Sequence, residues 1–167
     1  GNTLIGSQTG DALTTGLNNT FIGREAGSAT QDVDLAVIIG YGAGAALMTG
    51  GGNADQTTAV GSSALAALTS GQANTAIGYS TLSTNQAGDY NTAIGHQVLQ
   101  TFNATDVGRN VGVGINALNA LGSGVENTVV GSFACDAFDN AESYNVAIGS
   151  DSMSGVDEGT AGGDADF

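Results

Sequence analysis

The chain has no proline, no tryptophan and no lysine, and its only two cationic side chains, Arg24 and Arg109, stand against sixteen carboxylates for a net charge of −14. Binding to nucleic acid relies on Lys and Arg displacing the counterions condensed on phosphates, so that class is disfavoured. Attraction to an anionic membrane surface fails for the same reason. No apolar run approaches the length of a transmembrane helix, and no charged-then-apolar leader is present, so membrane insertion is not expected. Cys135 is the only cysteine, which rules out a disulfide within the chain. His96 is the only histidine, too few for a His-rich metal site or, in its variable position, a convincing triad. Glycines are plentiful, yet no GxGxxG sits between a strand and a helix and no GK[ST] follows, so a phosphate cradle is not indicated. An acidic, lysine-free composition suits a soluble particle outside the cell.

What the chain does have is a repeat. NTAIG occurs at Asn74–Gly78 and again at Asn91–Gly95, seventeen residues on. Aligning on the closing glycine gives nine copies, ending at Gly6, Gly23, Gly40, Gly61, Gly78, Gly95, Gly114, Gly131 and Gly149, with spacings of 17, 17, 21, 17, 17, 19, 17 and 18. The residue before each glycine is Ile5, Ile22, Ile39, Val60, Ile77, Ile94, Val113, Val130 or Ile148, and the residue three before it is always Thr or Val. β-Branched side chains two apart share one face of an extended segment, so each copy reads as a short strand that the glycine ends. The intervening position is Leu4, Phe21, Ile38, Ala59, Ala76, Ala93, Gly112, Val129 or Ala147. Both strand faces are therefore apolar or small and both need cover, as in a parallel sheet. Seven of the nine copies also place Asn four before the glycine, where stacked amides can hydrogen-bond from rung to rung.

After the glycine the period changes. In SSALAALTSG (Ser62–Gly71) and INALNALGSG (Ile115–Gly124) apolar residues fall three, four and seven after the motif glycine, the spacing of about two helical turns. The expected unit is a strand, a tight turn, a short helical turn and a loop. Seventeen residues cannot enclose a core alone, but stacked units bury one between them. The fold class expected is a repeat solenoid of nine coils over residues 1–155, followed by an acidic, glycine-rich tail, cap or linker at 156–167. Because the sequence opens inside a repeat, it reads as a fragment or a processed product.

Four carboxylates, Asp34, Asp89, Asp106 and Glu142, each lie eleven residues after their own glycine and are expected to line one edge. Such an edge is either a Ca²⁺ site, the one cofactor the composition leaves open, or a solvated acidic border. Extra residues enter before the fourth motif, around Asn53 and Asp55, and before the seventh, around Asp106 and Arg109. Insertions in a solenoid map to one face, often the binding face. With Tyr90 and Tyr144 just before their own motifs, these six residues, Asn53, Asp55, Tyr90, Asp106, Arg109 and Tyr144, are the candidate receptor contacts. The tyrosines serve equally well as packing residues. Cys135 reads as a buried apolar thiol.

The copies NNTFIGREAG (Asn18–Gly27), NTAIGYSTLSTNQAGDYNTAIG (Asn74–Gly95) and NTVVGSFACDAF (Asn127–Phe138) resemble the NTAIG-type repeats of viral tail fibres and bacterial surface fibres, which often precede an intramolecular chaperone of the endosialidase type. At the NTAIG strand they are also similar to the heads of trimeric autotransporter adhesins. The resemblance spans about residues 1–155 and implies a homotrimeric, fibrous assembly on a phage or cell surface, joined to other fibre or virion proteins and meeting a host surface glycan or protein. Trimerisation also has an argument from the residues: the small side chains Ala59, Ala76, Ala93 and Gly112 leave one strand face open to close approach by partner chains. The leading expectation is a structural and adhesive segment of a phage fibre, with no enzymatic activity. The alternatives are a bacterial surface adhesin or extracellular filament subunit, and a glycan-depolymerising spike, which needs paired carboxylates about 5–9.5 Å apart.

Overall fold

The structure, a computed structural model, describes residues 1–46, 54–105, 107–138 and 141–155. It is a parallel β-solenoid. Nine three-residue strands, β1 (Thr3–Ile5), β2 (Thr20–Ile22), β3 (Val37–Ile39), β4 (Thr58–Val60), β5 (Thr75–Ile77), β6 (Thr92–Ile94), β7 (Val111–Val113), β8 (Thr128–Val130) and β9 (Val146–Ile148), form one sheet in chain order. Every neighbouring pair is parallel and in register, Ile22 beside Ile39 and Ala76 beside Ala93. The 21-residue coil holds the same register as the 17-residue ones, Val60 pairing with Ile39. Eight steps of about 4.8 Å separate the first strand from the last by roughly 38 Å.

The motif glycine is dictated by the stack. Its φ runs from +128° to +155° along the column, a region that side chains rarely enter, and a Cβ on Gly78 would run into the carbonyl of Gly95 one coil on. Each glycine N–H donates to the carbonyl of the residue just before the preceding coil's glycine, as from Gly78 to Val60 at 2.7 Å.

The Asn column is a hydrogen-bonded ladder. Asn74 Oδ1 accepts the Asn91 N–H at 2.9 Å, Asn91 Oδ1 accepts that of Asn110 at 3.1 Å, and the chain continues through Asn127 to Asn145. Nδ2 of Asn74, Asn110 and Asn127 donates onward to a carbonyl of the following coil, on Gly88, Gly124 and Glu142. Full burial of these amides is tolerable because the ladder satisfies both ends of each. It lapses where Ala36 and Thr57 replace Asn, and there the buried Thr57 hydroxyl has no partner.

Two expectations are corrected. The first is the helical turn: among the described residues there is no helix. The apolar residues three, four and seven after the glycine are indeed buried, Ala64, Leu65 and Leu68 among them, but the backbone there has left-handed φ at the second and fourth residues, Ser63 (57°) and Leu65 (51°). This alternation sends successive N–H groups in opposite axial directions. Ser63 donates back to Tyr41 O at 3.0 Å and Leu65 donates forward to Thr81 O at 3.0 Å. Within the segment only i−3 turn bonds remain, Ala64 to Gly61 O and Leu68 to Leu65 O, and inter-coil bonds stand where a helix would make its i−4 ladder.

The second correction reverses the strand faces. Ala59, Ala76 and Ala93 are 0% exposed and face the chain's own core, with Gly112 buried in the same column, so this face is not left for partner chains. The Ile/Val column from Ile5 to Ile148 stacks continuously in register but lies on the outward face, from half-buried to 73% exposed at Ile148. The reason is volume. Where the inward strand residue is large, Leu4, Phe21 or Ile38, the residue four after the glycine is Gly10, Gly27 or Gly44; where it is Ala or Gly, that residue is Leu65, Leu82, Leu99, Leu118 or Met153, and the intermediate Val129 is matched by Cys135. The two positions share one space at interior density, filled from one side or the other.

Candidate functional site

The residue five before each motif glycine turns a corner of the coil, and at every such corner from Asn18 to Tyr144 it has left-handed φ: Asn18, Leu35, Gln56, Ala73, Tyr90, Arg109, Glu126 and Tyr144. The corner is held by its N–H, which donates to the preceding coil, Tyr90 to Gln72 O at 3.1 Å and Tyr144 to Val125 O at 3.0 Å. Three of the expected contact residues, Tyr90, Arg109 and Tyr144, therefore stand in one axial column. Tyr90 and Tyr144 are 48% and 71% exposed. Between Arg109 and Tyr144 the column holds Glu126, which sequence reasoning missed, and Arg109 Nη1 donates to its Oε1 at 2.9 Å. A count back from the next glycine would have found it.

The carboxylates divide. Asp34, Asp55 and Asp89 share the register position just before that corner. Asp34 Oδ1 accepts the Leu17 N–H at 2.7 Å, Asp55 Oδ1 accepts that of Asp34 at 2.7 Å, and Asp89 Oδ1 accepts that of Gln72 at 2.8 Å. These carboxylates stitch one coil to the one before it. Ser143 takes over that role in the last coil, its Oγ accepting the Val125 N–H at 3.0 Å.

Glu142 does not join the column. It falls one residue earlier, is 6% exposed, and its carbonyl accepts Asn127 Nδ2 at 2.7 Å. Counting forward from the glycine misplaces it because loop length varies, whereas the hydrogen bonds of the next strand set the register. Asp34 and Asp89 are three coils apart, about 14 Å. Asn53 and Asp106 lie outside the described residues, as does the 156–167 tail. Among the described residues no three or more His, Cys, Asp and Glu gather as a metal ligand set, and no helix is long and apolar enough to cross a membrane.

Cys135 is buried, and burial together with the neighbouring Asp136 charge pushes its thiol up to about 12. Its Sγ lies 3.9 Å from Ser152 O. A thiol held in that form is a packing group rather than a nucleophile.

No protein-family model matches the chain, and no curated protein or solved structure matches it either.

Proposed function

We propose that this chain is a structural and adhesive segment of a phage fibre, a stiff column that carries a recognition surface away from the particle. The observation that carries this reading is the corner column of Tyr90, Arg109, Glu126 and Tyr144, exposed aromatic and charged side chains repeated at one register on a scaffold whose every coil is bonded to its neighbours. Rigid presentation lowers the ordering cost of binding, and repetition raises effective concentration without any strong single contact. The acidic, lysine-free composition and the NTAIG-type resemblance support a virion or cell-surface setting.

In this reading the fibre is a homotrimer, and the copies meet through the outward strand face. That face presents the Thr/Val and Ile/Val columns, an apolar strip running the length of the sheet, and contiguous apolar strips of this kind mark interaction surfaces. The receptor is a host surface glycan or protein.

The test is attachment. Fluorescently labelled chain, applied to a panel of bacterial cells, should bind some strains, and the combined Tyr90→Ala, Arg109→Ala, Tyr144→Ala variant should lose that binding while unfolding as the parent does. Light scattering at micromolar concentration should give three times the chain mass. A monomer mass, or attachment to no strain, defeats the reading.

A further inference from the structure

The residue after each motif glycine lies just past the strand, where the chain leaves the sheet. In five consecutive coils these residues are Arg24, Tyr41, Ser62, Tyr79 and His96. Their register is fixed on one side by the pairing of Ile22, Ile39, Val60, Ile77 and Ile94. On the other side it is fixed by backbone bonds from Gly42 to Arg24 O, Ser63 to Tyr41 O, Ser80 to Ser62 O and Gln97 to Tyr79 O, at 2.9–3.1 Å. Tyr41 and Tyr79 are 53% and 52% exposed.

Among the described residues each of these tyrosines has a stacking partner on one side only. The Arg24 guanidinium lies over the Tyr41 ring, 5.5 Å from its centroid, from the coil before. The His96 ring stacks on Tyr79 with centroids 5.3 Å apart and planes 23° apart, from the coil after. Both supports are on the outer sides. The unsupported sides of Tyr41 and Tyr79 are those toward the intervening coil, which carries the much shorter Ser62 at the same register.

Two coil steps set the two tyrosine positions about 9.6 Å apart along the axis. One ring-to-ring contact needs about 3.5–4.0 Å, so two contacts leave room for a single puckered ring between the tyrosines. The negative face of a tyrosine ring attracts the positive edge of C–H bonds, which a pyranose presents on both its faces. Arg24 is already paired with Glu25 at 2.7 Å, so the gap carries no free cation to draw an anionic sugar. The net charge of −14 repels the phosphates that accompany nucleic acid bases.

We propose that Tyr41 and Tyr79, braced from outside by Arg24 and His96, form a clamp that takes one neutral hexopyranose ring of a surface glycan over Ser62. This rests on the adhesive reading and names its ligand class, at a place on the coil separate from the Tyr90–Tyr144 corner.

The experiment titrates neutral linear gluco- and galacto-oligosaccharides into the whole chain, with the open-chain alcohol sorbitol as control. Binding is read by tyrosine emission, which four tyrosines and no tryptophan leave unobscured, and by saturation transfer to sugar C–H protons. The expected result is quenching by at least one oligosaccharide and not by sorbitol, weakened about tenfold or more by Tyr41→Ala or Tyr79→Ala. Ser62→Tyr should abolish it by placing a third ring in the gap, at a position that accepts Tyr in the coils on both sides, and the cooperative unfolding of that variant shows that its fold is intact. Ile115→Ala, at the same register but outside the gap and half-exposed, should leave it unchanged. The clamp is overturned if no neutral oligosaccharide binds, or if binding survives Ser62→Tyr. Sugar binding lost only with the Tyr90, Arg109 and Tyr144 substitutions overturns the clamp and leaves the fibre reading standing. Sugar binding at the clamp in a chain that attaches to no cell sinks the fibre reading and keeps the clamp.

Discussion

Gly27 lies against Phe21: a Cβ on the glycine would sit 2.7 Å from Phe21 Cε2. The two are the large and small members of the shared space that, four coils later, Ala93 and Leu99 fill the other way round. Phe21→Ala alone should cost about 3–5 kcal/mol through the cavity it leaves. Adding Gly27→Leu should recover part of this, because Leu occupies the same left-handed position at Leu65, Leu82, Leu99 and Leu118. Urea denaturation of the two single variants and the double variant measures the coupling, and additive losses count against the shared space.

Gly112 and Val98 form a tighter version of the same exchange. A Cβ on Gly112 would come 2.6 Å from Val98 Cγ1, with Leu118 Cδ1 at 3.7 Å. Gly112→Ala should therefore destabilise by about 1–3 kcal/mol through overpacking. In a Val98→Ala background the same substitution should be close to neutral. A double-mutant cycle with no interaction energy contradicts this.

The Asn ladder predicts opposite signs at two of its positions. Asn110→Ala leaves the buried Asn127 N–H without Asn110 Oδ1, its acceptor at 3.0 Å, and Gly124 O without its donor at 2.9 Å. Two orphaned groups at about 1–3 kcal/mol each make this one of the costliest polar truncations in the chain. Thr57→Val, by contrast, removes a buried hydroxyl that has no partner and should leave stability unchanged or raise it. Thermal unfolding of the two variants side by side is sufficient.

Ala73 has φ +52° at the coil corner. Ala→Gly usually weakens a protein by about 0.5–1 kcal/mol, but relief of left-handed strain is worth about 1–2 kcal/mol. Ala73→Gly should stabilise slightly, and Ala76→Gly, three residues on in β5 and buried, should destabilise. A shared sign for the two variants argues against the corner conformation.

Cys135 links stability to alkaline pH. Burial, with the Asp136 charge, pushes its folded thiol up to about 12 from an ordinary 9.0. Above pH 9 the unfolded chain ionises this group while the folded chain does not. Its contribution to stability is therefore complete below pH 9 and is lost as pH climbs toward 12. Cys135→Ala should flatten that part of the stability–pH curve. In the wild type an alkylating reagent should modify the thiol at neutral pH only once denaturant is added.

The strands were legible because alternation at a period of two is a side-chain pattern, and Thr75 and Ile77 around Ala76 display it without help. The Asn ladder was legible for a related reason, since identical amides at one register can satisfy one another. The turns were not. Ala64, Leu65 and Leu68 have helical spacing, and that spacing reports which side chains go inside without saying which way the N–H groups point. The available signal was glycine four after the motif in the first three coils, Gly10, Gly27 and Gly44, at a position whose occupants are left-handed throughout. The strand faces were misread because the inward column was judged alone, where Ala59, Ala76 and Ala93 look like a surface made for close approach. Paired with Leu65, Leu82 and Leu99 they are half of a filled interior. Tyr90, Arg109 and Tyr144 share a column because each stands five before its motif glycine, while Glu142 was misplaced by counting from the wrong glycine.

Because the backbone groups bond from one coil to the next along the axis, each added coil lengthens the molecule by about 4.8 Å without widening it. Duplication or loss of one seventeen-residue unit is then a ruler's increment. The column can lengthen or shorten by whole rungs while every existing joint stays as it was.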